Sequence, residues 1–303
     1  MKRIFAFITA ACLLMTTACS STPEPSAEQT TAAETQTETT TETAVGGVQT
    51  LDQAVTVFDG SEYSLKITAC DTSKITEPTL ITHAENKSSK KTYVFYAETS
   101  YIDSIDAPTL WMQETEPNKS EDGSIGFYMD ELEKLGVTKI TDIELTVGVY
   151  EDSIDNEPLE KTTVHVYPEG EENAAPFVHT PADGEKVLVD MPEAKATVID
   201  CGMDDIGEYS VWLYLENRTE HEVMFTSEDE YLNGRKAADP SFSWAVAPKR
   251  SSYTRITWYE DELKNANIED VNEISLVVRV YDNEDLDKPE YVKSEVTIIP
   301  QNS

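Results

Sequence analysis

The sequence predicts an all-β protein made of two similar antiparallel β-sandwich domains in tandem, each carrying one short helix. First, the chain matches itself at a constant offset of about 131 residues, with no gap from about residue 55 to 158. Second, each copy contains about seven or eight short segments of alternating apolar and polar residues, separated by acidic or Gly-, Pro- and Asn-containing turns. Alternation leaves one strand face to pack and one to meet water, which favours a sandwich over a barrel.

The internal match aligns identical residues of several chemical types. We therefore interpret it as the duplication of one unit. Equivalent pairs are Asp59 and Asp190, Cys70 and Cys201, Pro117 and Pro248, and Tyr128 and Tyr259. A unit of about 115 residues is large enough for its own hydrophobic core. The predicted domains span residues 50–168 and 184–303. Residues 169–183, rich in Pro, Gly and acidic side chains, form the predicted linker.

One strand in each copy shows the alternation most clearly, and we expect its apolar side chains to face the core. These residues are Ile143, Leu145, Val147 and Val149 in the first copy, and Ile274, Leu276, Val278 and Val280 in the second.

A helical segment, "DELEKLG" at residues 130–136, interrupts the strands and recurs in the second copy. Asp130 is of a type that caps helix N-termini, and Gly136 is of a type that ends helices. A helix this short is not stable alone. We therefore predict a crossover segment that packs over the end of the sandwich. Leu132, and Leu263 in the second copy, would make the buried contact. A recognition helix is the alternative.

The N-terminus is typical of a secreted bacterial protein. Lys2 and Arg3 precede an apolar run that is shorter than the about 20 residues needed to span a bilayer. Residues 1–18 are therefore predicted to be a signal peptide, and a retained membrane anchor is the alternative. Residues 19–49, made largely of Thr, Glu, Ala and Gln, cannot bury enough apolar surface to fold and are predicted to be a disordered tether.

The small residues before Cys19 resemble the bacterial lipobox, in which the cysteine thiol is acylated with diacylglycerol. The resemblance implies a lipid on Cys19 and attachment to the cell membrane through it. Thr16 stands where the lipobox usually has Leu, and Cys12 lies inside the apolar run. Ordinary secretion with an incidental Cys19 is the alternative.

The formal net charge of −35 restricts the possible partners. A chain this acidic repels nucleic acid, so nucleic-acid binding is excluded. The same charge argues against an anionic membrane surface as a ligand. A solvated acidic surface that confers solubility is preferred over a dedicated cation-binding role.

No pattern in the sequence predicts an enzyme, a cofactor or a metal site. The four histidines, His83, His165, His179 and His221, are far apart and match no nucleophile or zinc motif. The acidic segments 150–160 and 281–290 suggest calcium, yet they lack the alternating ligands and central Gly of a calcium-binding hand. We expect them to be solvated hairpin loops.

Cys70 and Cys201 occupy matching positions of the two copies. A disulfide between them would need a particular docking that brings their Cα atoms within about 7 Å. Two separate, mostly buried thiols are therefore expected.

The second copy carries a candidate ligand-binding platform. "SVWLYLEN" places Trp212 and Tyr214 on one strand face, and "ISLVVRVY" places Arg279 and Tyr281 on its non-core face. If the two strands share a sheet, these side chains would form an aromatic and cationic surface suited to a sugar or a peptide. The alternative is a face that packs against the sister domain or only decorates the sheet.

The lipoprotein cysteine, the Thr/Glu-rich spacer and the repeated units with "ENKS" or "ENRT" hairpins and "DELEKLGVTKITDIELTVGVYE" resemble the Ig-like repeats of Firmicute surface lipoproteins. The resemblance covers about residues 50 to 300 and implies Ig-like sandwiches, an extracytoplasmic location and no catalytic residues. We expect a binding or scaffolding module at the cell envelope, whose partner is an envelope protein, a peptide or a glycan. The alternatives are a solute-binding or accessory lipoprotein of a transporter and a cation- or glycan-binding surface protein.

Overall fold

The computed structural model describes residues 48–236 and 242–300, and these residues belong to one compact unit. The predicted signal peptide, Cys19 and the tether as far as residue 47 lie outside the described residues. Strands dominate the described chain, so the all-β prediction is confirmed. Within these ranges, no helix has both the length and the apolar character that crossing a bilayer requires.

The first half of the fold covers residues 48–166 and the second half residues 186–300. The first half contains β1 (Val48–Asp59), β2 (Tyr63–Asp71), β3 (Thr79–Asn86), β4 (Tyr93–Ile102), β5 (Ile105–Asp106), β6 (Met112–Thr115), β7 (Ser120–Gly126), α1 (Asp130–Lys134), β8 (Ile143–Glu151) and β9 (Glu160–Val166). The second half contains β10 (Lys186–Asp190), β11 (Ala194–Met203), β12 (Tyr209–Asn217), β13 (Val223–Leu232), β14 (Arg235–Lys236), β15 (Ser243–Val246), β16 (Ser251–Trp258), α2 (Glu260–Asn265), β17 (Ile274–Asp282) and β18 (Val292–Ile298).

The strands form three sheets. The first outer sheet has the order β1-β2-β3-β7, and the second outer sheet has the order β14-β13-β17-β18, with β15 paired to β13. The central sheet has the order β10-β11-β12-β16-β5-β4-β8-β9, with β6 paired to β4. Each half is therefore a sandwich in which part of the central sheet packs on one outer sheet.

Two clusters of buried apolar residues lie between the sheets, one in each half. The predicted inward-facing residues of β8 and β17 are all buried in them, so that prediction is confirmed. Burying a side chain of this size contributes about 1.5–3 kcal/mol, which makes these two cores the main source of stability.

Each short helix connects a strand of one sheet to a strand of the facing sheet: α1 follows β7 and precedes β8, and α2 follows β16 and precedes β17. Leu132 and Leu263 are buried, as predicted. The prediction of Asp130 as N-cap is wrong, because the buried residue Met129 holds that position and Asp130 is the first helical residue. Its carboxylate still lies where the helix dipole favours negative charge. Gly136, with φ 78°, ends the helix as predicted.

The constant offset between the copies is wrong over β4 and β13. Asp103 Oδ1 accepts hydrogen bonds from the backbone N–H groups of residues 141–142, and Asn233 Oδ1 accepts them from residues 272–273. Asp103 is therefore equivalent to Asn233, one position short of the general offset. The turn between β12 and β13 is shorter than the turn between β3 and β4, which accounts for the shift.

The central sheet joins the two halves through a parallel bridge between Ile105 of β5 and Ser251 of β16. The Ser251 N–H donates to the Ser104 carbonyl at 3.0 Å. Residues 167–185, which we call the connecting segment, are also bonded to the first half, since the Phe177 N–H donates to the Asp103 carbonyl at 2.7 Å. These main-chain bonds hold the halves in one arrangement.

Arg250 adds a side-chain link across the junction. Its guanidinium donates to Ser104 Oγ at 3.2 Å and to the Glu144 carboxylate, and its Cζ lies 4.5 Å from the centroid of the Tyr101 ring. Its side chain is 24% exposed and that of Glu144 is 13% exposed, so solvent screens this pair only in part.

Replacing Arg250 with alanine is expected to lower the free energy of unfolding by about 1–3 kcal/mol, because Glu144 loses a charged donor. Denaturant titration measures the change. Lys264→Ala is the control, since Lys264 forms an exposed ion pair with Glu260 that contributes less than about 0.5 kcal/mol. Equal effects of the two substitutions would contradict the role of Arg250.

Candidate functional site

The predicted four-residue platform is not formed. Trp212 and Tyr214 lie on β12, which pairs with β11 and β16 in the central sheet. Arg279 and Tyr281 lie on β17, which pairs with β13 and β18 in the second outer sheet. The two strands therefore belong to different layers of the sandwich. The condition on which the prediction rested, a shared sheet, does not hold.

Tyr214 is a contact between the two halves. It is 1% exposed and belongs to the buried cluster of the first half. Its ring centroid lies 6.1 Å from that of Phe177 and 5.1 Å from that of His179, both in the connecting segment. Burial raises the pKa of the Tyr214 hydroxyl. The alternative interpretation, a face packed against the sister domain, is therefore correct for Tyr214.

Trp212 lies on the same face and is half-buried. Its ring stacks on Tyr253 with a centroid distance of 5.4 Å. Lys134 of α1 and Arg255 of β16 place their charged groups 4.7 Å and 4.9 Å from the Trp212 ring centroid. Because α1 belongs to the first half, the Lys134 contact also crosses the junction.

Arg279 is occupied by neighbouring carboxylates. Its guanidinium donates to Glu228 and Glu290, and its Cζ lies 5.7 Å from the Tyr281 ring centroid. These hydrogen bonds, that to Glu290 foremost, raise the pKa of Arg279. The cation is thus neutralised within its own sheet.

An open groove of about 410 Å³ lies beside the junction, and we call it the β11 groove. Its walls come from Lys134 of α1, residues 182–185 of the connecting segment with Lys186 of β10, residues 198–201 of β11, and Ile298 of β18 with the residue that follows it. Four separate segments therefore build it, which is why no single stretch of sequence indicated it.

The charged groups on the groove walls are mostly paired. Lys186 Nζ donates to the Thr297 carbonyl. Glu185 Oε2 accepts bonds from His179 Nε2 at 2.7 Å and from the Ala182 N–H at 3.0 Å. Lys134 lies over Trp212. The groove consequently offers main-chain groups and short apolar side chains rather than a concentrated charge.

Asp142, Glu144 and His165 form a cluster whose potential metal-ligand atoms all lie within 4.8 Å of one another. His165 Nδ1 is 3.0 Å from both carboxylate oxygens of Asp142, and its Nε2 is 3.7 Å from Glu144 Oε2. These donor types could hold a divalent transition metal. Arg250 already supplies a cation to Glu144. The cluster therefore serves as an ion-pair network at the junction.

Sequence reasoning missed this cluster because His165 lies 23 residues from Asp142 along the chain. Glu144 and His165 are cross-strand partners on β8 and β9. Only the register of that hairpin brings them together.

The two cysteines of the described chain are not bridged to each other. Cys70 is 1% exposed, and burial raises the pKa of its thiol to about 12. Cys201 is half-buried and lines the β11 groove. The expectation of separate thiols agrees with this arrangement, but Cys201 is more exposed than expected.

The acidic loop that follows β17 is organised around Asp282. This residue is 1% exposed, and its Oδ1 accepts bonds from the backbone N–H groups of Glu284 at 2.9 Å and Asp285 at 3.1 Å. Lys288 Nζ donates to Oδ2 at 2.7 Å. A lysine thus occupies the place that a bound cation would take.

Replacing Lys288 with alanine is expected to lower the Tm at pH 7. The hydrogen bond from Lys288 lowers the pKa of Asp282, so its stabilisation is complete above the unfolded-state value of about 3.9. It is lost as the pH falls through the lower folded-state pKa. Thermal scans between pH 7 and pH 3 should therefore show the difference from the parent shrinking below about pH 4.

Lys293→Ala is the matched control, because Lys293 is exposed and contacts Glu228 at 3.4 Å. We expect little change in Tm from this substitution. A Lys288→Ala effect that is the same at every pH would contradict the pairing with Asp282.

The chain matches no protein-family model and no curated protein. Among solved structures, it is similar to the crystal structure of red sea bream transglutaminase, with 11% sequence identity and a TM-score of 0.23. The match covers 86% of this chain and 32% of the transglutaminase, so the chain spans about a third of that protein. At this TM-score, the likeness supports no inference about activity, and the comparisons assign the chain to no family.

Proposed function

We propose that the chain is an extracytoplasmic lipoprotein, anchored through Cys19, whose two tandem Ig-like β-sandwich domains form a rigid binding or scaffolding module at the cell envelope. The strand order supports the Ig-like assignment. In the first half, β2, β3 and β7 stand where strands A, B and E of that fold stand, and β6, β4, β8 and β9 stand where C′, C, F and G stand. The helices α1 and α2 are then crossovers between strands E and F.

The observation that best supports the proposal is that the two halves are joined by several hydrogen-bonded and buried contacts. A shared sheet, the burial of Tyr214 in the other half's core and the Arg250 to Glu144 pair all oppose relative movement. Domains joined by small polar contacts move independently by default, whereas an apolar and hydrogen-bonded junction fixes their arrangement. Fixed geometry suits a protein that presents surfaces to a partner at a set distance.

The experiment is lipid labelling of the full chain in a bacterial host that processes lipoproteins. An alkyne fatty acid fed to the cells should label the wild type, and Cys19→Ala should abolish the label and release the protein into the medium. Cys12→Ala is the matched control and should retain the label. Absence of label, or label that survives Cys19→Ala, would overturn the anchor.

A chemical crosslinking experiment on intact cells then tests the binding role. We expect an envelope protein to be recovered with the wild type and to be lost when the junction is loosened by Arg250→Ala. Recovery of a transport permease instead would favour the second candidate, an accessory lipoprotein of a transporter. The volume of the β11 groove falls within the range of small-ligand sites, about 300–1,000 Å³, which is the reason to retain this candidate.

A further inference from the structure

The first half shows how an edge strand covers the strand equivalent to β11. There, β1 pairs with β2 at both of its ends. Asp59 is opposite Ser64, and beyond a break in register over residues 51–54 the pairs are Val48 with Asp71, Gln49 with Cys70 and Thr50 with Ala69. The side chains of residues 48–50 are exposed, so this cover consists of main chain.

In the second half the same strand is covered only in part. β10 pairs with β11 from Asp190 opposite Lys195 to Lys186 opposite Val198, and it ends there. This register equals that of residues 55–59 of β1 on β2. The residues equivalent to 48–50 are 179–181, and they leave the sheet: the ring of His179 packs near Tyr214 instead.

The far end of β11 therefore has a neighbouring strand on its β12 side alone, within the chain that the structure describes. The side chains at this end of β11 are more exposed than their counterparts on β2. Asp200 is exposed where its counterpart Ala69 is 8% exposed, and Cys201 is half-buried where Cys70 is 1% exposed. The uncovered edge is a wall of the β11 groove.

The side chain of Asp200 accepts a hydrogen bond from one N–H group of this edge. The Cys201 N–H donates to Asp200 Oδ1 at 2.8 Å. An unpaired strand edge presents N–H and C=O groups in the spacing of a partner strand, and proteins protect such edges with charged side chains. Asp200 fits that role.

We propose that the β11 groove is a slot that accepts an extended peptide segment of a partner protein, paired antiparallel to residues 200–203 by main-chain hydrogen bonds. This inference rests on the proposed binding function and names its partner class. Strand addition to a free edge is a general mode of peptide recognition, in which the main chain supplies the affinity. The side chains of residues 48–50 are exposed, so main-chain pairing rather than side-chain packing covers the equivalent strand of the first half.

Charge further restricts the peptide. Lys134 and Lys186 contact other groups of the groove walls, while the exposed residues Asp183 and Asp200 also line the groove. The whole chain has a net charge of −35. A neutral or basic segment is therefore the occupant, because an acidic one is repelled.

The test uses the full chain and a synthetic peptide with the sequence of residues 47–51, GVQTL, with a lysine added at each end. We expect saturable binding by fluorescence anisotropy and slower hydrogen exchange of the amides of Cys201 and Met203. The same peptide with proline in place of its glutamine loses a donor and should bind at least tenfold more weakly.

Two protein variants make the test specific. Asp200→Ala frees the Cys201 N–H and should tighten binding at least threefold. Asp155→Ala removes the same charge from an exposed loop of the first half and should leave binding within twofold. Both variants replace exposed residues, so we expect both to fold. Thermal scans check this, since the Tm of each variant should equal that of the parent protein.

Three results would contradict the proposal that the β11 groove binds a peptide. They are no binding up to millimolar peptide, equal binding of the proline peptide, and tightening by Asp155→Ala equal to that by Asp200→Ala. A concentration-dependent dimer that dissociates when the peptide is added would show that a second copy of the chain occupies the groove. That result would also overturn the proposal. None of these outcomes affects lipid labelling at Cys19, so the proposed function and this inference fail separately.

Discussion

Replacing Trp258 with alanine is expected to lower the free energy of unfolding by about 3–5 kcal/mol, because a large fully buried side chain is removed and a cavity is left. Trp258 is 0% exposed and packs in the second core, with its ring centroid 6.4 Å from that of Tyr209. Denaturant titration followed by circular dichroism measures the change.

Two controls separate the cavity from other effects. Trp258→Phe copies the first half, where Phe127 occupies the equivalent buried position, and should cost clearly less than the alanine variant. Leu286→Ala removes an apolar side chain that is 72% exposed and should change the free energy by less than about 0.5 kcal/mol. A Trp258→Ala loss below about 1 kcal/mol would contradict the packing of the second core.

Replacing Asn217 with alanine is expected to lower the free energy of unfolding by about 2–4 kcal/mol, since buried groups lose their hydrogen bonds without access to water. Asn217 is 3% exposed. Its Nδ2 contacts the carbonyls of residues 221, 246 and 247 at 2.6–3.0 Å, and its Oδ1 accepts the Thr219 N–H at 2.8 Å. It thus ties the β12–β13 turn to the end of β15.

The first half repeats this arrangement, which supplies a second measurement. Asn86 is 1% exposed and donates to the carbonyls of residues 91 and 115, both at 2.8 Å. Asn86→Ala should therefore cost a similar amount. Asn272→Ala, at an exposed position, is the control and should stay within about 0.5 kcal/mol of the parent. A small effect at both buried positions would show that the turns do not depend on these amides.

Strand periodicity was the most predictable part of the fold. The apolar residues of β8 and β17 alternate with polar ones because one face of each strand is buried, and the structure buries that face. The helix ends at Gly136 for an equally local reason, since a positive φ suits glycine. Asn86 and Asn217 belong to the "ENKS" and "ENRT" hairpins, but their burial and long-range bonds depend on β6 and β15, which are distant in sequence.

The candidate site could not be predicted in the same way. An aromatic residue on the outer face of a strand has the same local pattern whether it meets solvent or another domain. Trp212 is contacted by Lys134 of α1, and Tyr214 is contacted by Phe177 of the connecting segment. Arg279 is separated from them because β17 joins a different sheet.

The residue pattern along the chain predicts a duplication, strands in both copies and the apolar face of each strand. These properties depend on residues close along the chain, so their pattern is visible without coordinates. Only the tertiary structure decided that the copies share one sheet, that Tyr214 belongs to the core of the other half and that β11 keeps an uncovered edge. Those outcomes depend on how distant segments pair, because identical local patterns are compatible with several pairings.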